Sequence, residues 1–121
     1  MDSAIRAGLE KAGLPTARRH LFLCVSPDCC DASAGEAVWA HVKQRLRELA
    51  LPAMRTKAAC LRVCHGGPWL VVYPDGVWYG RLDVPRFDRI LREHLIGGVP
   101  VAEWVVARNA LDGCGTVPLS E

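Results

Sequence analysis

The sequence predicts an α/β fold, a central mixed sheet of about four strands flanked by two main helices. Three observations carry that expectation. Residues 20–25 are a short apolar run stopped by Pro27 and Asp28, residues 34–50 repeat apolar side chains at helical intervals, and residues 69–80 read as a β-hairpin. With 121 residues, 50% hydrophobic and 23% charged, the chain can bury one core and is too short for two.

Residues 2–13 have helical spacing in Ala4, Ile5, Leu9 and Ala12, weakened by Gly8 and Gly13 and ended before Pro15. Residues 1–18 therefore read as an N-terminal extension with a short helix, ahead of a domain over 19–108 and a loose tail over 109–121. The first strand carries Leu21, Phe22 and Leu23, and Cys24 sits where it ends. Ser33 and Glu36 have capping-box spacing for the helix that follows, whose apolar face is Val38, Trp39, Val42, Leu46 and Leu49. Pro52 stops it, and residues 54–58 form a second strand.

After Gly66, Gly67 and Pro68, the β-prone residues 69–73 turn at Pro74, Asp75 and Gly76 and return over 77–80. Asp83 as cap and Pro85 in the first turn open a helix with Phe87, Ile90, Leu91 and Leu95, closed by Gly97 and Gly98. Residues 101–107 add a short strand or helix. Strand, helix, strand, hairpin, helix is the layout of a thioredoxin-like sandwich, which by itself names no function.

Fifteen Lys and Arg against thirteen Asp and Glu leave a formal charge of +2, too balanced to make nucleic acid the default partner. No run approaches the roughly 18 apolar residues that cross a bilayer, and residues 21–25 are shorter than a secretory h-region. The expectation is a cytoplasmic protein with no membrane span. Neither a phosphate loop, a dinucleotide fingerprint nor a Ser-His-Asp arrangement marks it as an enzyme.

Six cysteines bear on function: Cys24, Cys29, Cys30, Cys60, Cys64 and Cys114. In a cytosolic chain this count argues for metal or redox chemistry over a disulfide framework. A Cys-x-x-Cys redox pair at the first strand-to-helix junction is missing. Instead Cys24 with Cys29 or Cys30 lies in one loop, and Cys60 with Cys64 lies in another that the fold makes its neighbour. Four thiolates from two loops suit an iron–sulfur cluster or a structural zinc ion, and spacing alone leaves both open.

Here the sequence resembles a known family, the thioredoxin-like 2Fe-2S ferredoxins, related to the small iron–sulfur subunit of bacterial NADH dehydrogenases. The matching stretches are HLFLC at 20–24, CC at 29–30, RTKAACLRVCHGGP at 55–68, VVYPDGVWYG at 71–80 and EHLIGGVPV at 93–101. The resemblance implies a 2Fe-2S cluster on four cysteines, one-electron transfer between a reductase and an acceptor enzyme, and a homodimer. It puts the ligands on Cys24, Cys60 and Cys64 and on one of Cys29 and Cys30, with the register of the following helix through Trp39 favouring Cys30. Cys114 lies beyond the matched region and reads as a spare thiol.

Other readings accompany these. A redox-complex subunit or assembly module with a structural iron–sulfur or zinc site is the alternative function. His94 reads as a helix C-terminal residue facing the dipole, and Trp78 and Tyr79 as packing residues. Arg55, Lys57, Arg62 and Arg81 offer a docking face for an acidic redox partner, against the ordinary fate of solvated surface charge.

Overall fold

The computed structural model describes residues 1–111. Helix α1 (Ser3–Ala12) is capped by Asp2, whose carboxylate accepts from the amides of Ala4 and Ile5, and it buries none of its residues. Strand β1 (Arg19–Cys24) leads through the Cys29–Cys30 loop into helix α2 (Ala32–Glu48) and then strand β2 (Ala53–Ala58). Strand β3 (Trp69–Tyr73) and strand β4 (Val77–Tyr79) form the hairpin. Helix α3 (Val84–Ile90) widens into a π-helical segment at Leu91–Ile96, and a 3-10 turn at Ala102–Trp104 opens strand β5 (Val105–Arg108).

The sheet runs β2-β1-β3-β4-β5, with β1 and β2 parallel and every other pair antiparallel. The mixed sheet expected to have about four strands has five. The stretch 101–107, which read as strand or helix, is both: the 3-10 turn lets the chain swing back so that Val105 pairs with Tyr79 and Arg108 with Val77. The chain beyond is less loose at its start than composition suggested, because Asn109 donates to the Gly76 carbonyl at 2.8 Å and Leu111 to that of Pro74 at 3.0 Å.

Strand side chains alternate between faces, and here that period sorts core from site. Leu21 and Leu23 of β1, Leu70 and Val72 of β3 and Tyr79 of β4 turn to one core with Val38, Val42 and Leu46 of α2 and Phe87, Ile90 and Leu91 of α3. The two helices are neighbours over that core: His41 is hydrogen-bonded to Asp88 at 2.7 Å and meets Phe87 edge-on. The alternate residues of the strands face the other way. Among them His20 stacks on Phe22 and Phe22 meets Tyr73 edge-on, a half-buried aromatic surface.

One helix start differs from the sequence reading. Asp31, not Ser33, caps α2: its carboxylate accepts from the Ala34 amide at 3.1 Å and from the Ser33 hydroxyl at 2.5 Å. Ser33 is already inside the first turn. A carboxylate at that position also gains from the positive end of the helix dipole, which a hydroxyl does not. Asp83 and Pro85 serve at the start of α3 as the sequence indicated, with the Asp83 carboxylate accepting from the Arg86 amide at 2.8 Å.

Candidate metal centre

The parallel pairing of β1 with β2 fixes where the thiols can be. Cys24, the last residue of β1, lies opposite Ala58, the last of β2, and opposite Trp69, the first of β3. The loops after β1 and after β2 therefore leave the same end of the sheet. Cys29 and Cys30 belong to the first loop, Cys60 and Cys64 to the second. Both of the expected pairs thus lie at one end of the molecule.

The pairs differ in environment. Cys24 is fully buried and Cys29 nearly so, their sulfurs 3.1 Å apart, whereas Cys60 and Cys64 are exposed. Cys30 is half-buried; its sulfur points to the Ser26 carbonyl at 3.6 Å and underlies Gly35 of α2, where an added Cβ would stand 3.1 Å away. Among the described residues no three metal-ligating side chains gather around one point. Cys114 lies outside the described residues.

Backbone conformation shapes the second loop. Arg62 adopts φ +70 and its amide donates to the Cys60 sulfur at 3.2 Å. Gly67 closes the gap between the loops: its amide donates to the Cys29 carbonyl at 2.9 Å, and a Cβ there would come within 2.9 Å of both the carbonyl and the sulfur of Cys29. Only glycine allows that approach. The loop before the hairpin is thus pinned directly to the cysteine loop after β1.

In this setting Cys29, Cys30 and Cys64 resist ionisation. Burial, reinforced by the hydrogen bond and charge of Cys24, pushes Cys29 up to about 12. Burial raises Cys30 as well, and Cys64 is raised by desolvation and by the charge of Cys60. Thiolates so disfavoured in isolation are stabilised by binding a cation, since the metal displaces the proton. The chemistry of the donor set would suit a cluster of two irons: two cysteine pairs from adjoining loops, with the Arg62 amide aimed at the Cys60 sulfur.

The aromatic residues near the centre divide as expected, with one addition. Tyr79 is fully buried and Trp78 packs beside Trp69, ring centroids 6.2 Å apart. Trp69, which the sequence reading treated only as strand, packs on Cys24 and Cys29 and donates its indole N–H to the His65 carbonyl at 2.8 Å. Its pairing with Cys24 across β1 and β3 is the signal that would have found it.

No family model matches the chain. Similar curated proteins include a 2Fe-2S ferredoxin of Aquifex aeolicus, 32% identical over 105 residues that span 78% of this chain and 95% of that one. The chain belongs to the 2Fe-2S ferredoxins. A second similar ferredoxin, from Clostridium pasteurianum, is 29% identical over 90 residues, covering 67% of this chain and 88% of its own length. A solved structure of a thioredoxin-like [2Fe-2S] ferredoxin from Aquifex aeolicus superposes with a TM-score of 0.70 at 30% identity, over 82% of this ferredoxin and 99% of the solved chain. The thioredoxin-like sandwich expected from the order of elements is therefore the fold of this ferredoxin. No helix among its described residues is long and apolar enough to cross a membrane.

Proposed function

We propose that this ferredoxin is a one-electron carrier whose 2Fe-2S cluster is held by Cys24, Cys29, Cys60 and Cys64. The observation that carries the reading is the arrival of two cysteine pairs at one end of the sheet, in a chain of this family. When bound, the cluster takes up and gives back a single electron. The chain supplies the setting for that chemistry. Cys24 and Cys29 anchor the buried side, and Cys60 and Cys64 the side that faces water, where added negative charge is better solvated.

Cys29 is preferred here to the Cys30 favoured by helix register. Its sulfur is 3.1 Å from that of Cys24 and it faces the Gly67 approach from the second loop, while the Cys30 sulfur lies under α2. Cys30 is then a spare thiol. The amide of Arg62 bonded to the Cys60 sulfur favours the more negative, reduced state and so raises the potential.

The finer assignments follow from the same reading. The protein passes electrons between a reductase and an acceptor enzyme, works as a carrier rather than an enzyme, and resides in the cytoplasm, where thiols are kept reduced. The half-buried aromatic surface around Phe22 and Tyr73 supports a homodimer with that sheet face against a second copy. Potentiometric titration of the reconstituted protein tests the function. A reversible one-electron wave is expected; a centre that cannot be reduced, or that bleaches irreversibly on reduction, would leave the structural-site alternative in its place.

A further inference from the structure

Beside the cysteine loops runs an open groove of about 420 Å³ between the Gly66–Trp69 segment and β5. Trp69 is common to both: it packs on Cys24 and Cys29, and it lines the groove. Its six-membered ring lies against two glycines, since a Cβ on Gly80 would be 3.0 Å from Trp69 Cη2 and one on Gly66 would be 3.6 Å from Cζ2. Any larger residue at Gly80 would wedge the ring away from the groove floor.

The rim carries positive charge. Arg81 is exposed at φ +50, held there by its amide's 2.6 Å bond to the Gly66 carbonyl, and it has no ion-pair partner among the described residues. Arg86 lies over the Trp104 ring at 5.0 Å and likewise has none. The one carboxylate on the groove, Glu103, is engaged by Arg89. Some basic residues elsewhere are matched, as Lys57 with Glu36, Arg45 with Glu48 and Arg19 with Asp75, while others such as Arg18 and Arg55 have no ion-pair partner among the described residues and lie away from the groove. Val105 and the exposed Val106 add an apolar wall.

Two uncompensated guanidinium groups, an apolar wall and an indole packed in one cluster with Cys24 and Cys29 suit one kind of occupant. We propose that this groove docks an acidic segment of the redox partner, its carboxylates on Arg81 and Arg86, so that Trp69 stands between the thiol centre and the partner. The proposal rests on the electron-carrier reading. Docking alone forms and breaks no covalent bond; one electron leaves the reduced protein and one is gained by the partner's acceptor. Of the four basic residues singled out in the sequence only Arg81 lies on this groove, and Arg86 is the addition made by the fold.

The test uses reduced, cluster-loaded protein and two one-electron oxidants, anionic tris(oxalato)cobaltate(III) and cationic hexaamminecobalt(III), followed by stopped flow with and without a deca-aspartate peptide. Asn tolerates positive φ, so R81N/R86Q removes both charges with the turn retained; R18Q/R55Q removes the same charge elsewhere. R81N/R86Q should slow oxidation by the anionic complex about fivefold or more and abolish inhibition by the peptide, with the cationic reaction not slowed. R18Q/R55Q should keep both properties of the parent. Equal slowing in the two double variants, or peptide inhibition that survives R81N/R86Q, overturns the docking site. Visible and EPR spectra are recorded on every sample: docking fails with the cluster spectrum intact, whereas a parent protein with no such spectrum fails as an electron carrier.

Discussion

His94 Nε2 lies 2.6 Å from Asp75 Oδ2 in the interior beneath the β3–β4 turn, and His94 itself is fully buried. The rest of the chain of bonds assigns the proton. The Val101 amide donates to Tyr79 Oη at 3.0 Å, so the tyrosine hydrogen goes to His94 Nδ1 at 2.8 Å and the imidazole N–H faces the Asp75 carboxylate. Arg19 completes the set, 3.3 Å from the same carboxylate oxygen. Hairpin turn, π-helical segment and the approach to β5 are tied together by one neutral histidine, not by a helix-end charge as the sequence suggested.

This network makes stability fall with acid. Burial, only partly offset by Asp75, holds His94 below its ordinary 6.5, so the unfolded chain takes up a proton that the folded one refuses. The stabilisation is complete above about pH 6.5 and declines as pH falls from there through the lowered folded value. Asp75 acts in the same direction at lower pH: burial opposes its ionisation, but the His94 hydrogen bond and Arg19 charge leave it below its ordinary value. His94→Phe should lower stability at pH 7.5 by about 1–3 kcal/mol, by stranding the Tyr79 hydroxyl, and should flatten the slope between pH 7 and 5.5. Urea midpoints followed by tryptophan fluorescence read both.

Cys29→Ser should lose the cluster or shift its visible spectrum strongly, whereas Cys30→Ser should keep the parent spectrum. Anaerobic reconstitution of the two variants side by side decides it, and retention only in Cys29→Ser would restore the choice made from helix register.

Cys60→Ser and Cys64→Ser should each abolish or badly destabilise the cluster, and Cys114→Ser should leave it intact. Iron content per chain after gel filtration is the measurement; iron loss in the Cys114 variant would require a different ligand set.

Gly67→Ala should impair the centre with little change elsewhere, because its Cβ would press on the Cys29 carbonyl and sulfur at 2.9 Å. Gly76→Ala should act differently. Gly76 has φ +69 and a Cβ there would collide with the Asn109 carbonyl, so the substitution should loosen β5 and lower thermal stability by about 1–3 kcal/mol without removing iron. Differential scanning calorimetry beside iron analysis separates the two effects.

The layered plan was legible because its signals are local. Residues 69–73 and 77–79 are β-prone around a Pro-Asp-Gly turn, and Asp83 with Pro85 opens α3, so these elements needed no tertiary information. Strand β5 was ambiguous because four residues with one partner strand carry little periodicity; pairing with β4 is what makes them a strand. The His94 network was hidden for a related reason. His94 and Asp75 are 19 residues apart, and only the packing of the π-helical segment against the hairpin turn joins them. For the site, the grouping of cysteines into two loops was readable. The choice between adjacent Cys29 and Cys30 was not, since it depends on which way a turn after β1 faces its two sulfurs.

The central claim is that the two cysteine pairs hold a redox-active 2Fe-2S cluster. Anaerobic purification followed by iron and sulfide analysis and EPR after dithionite reduction tests it most directly. The account predicts about two irons and two sulfides per chain, with a rhombic or axial signal appearing on reduction. A colourless protein holding one zinc ion and silent to reduction would contradict it.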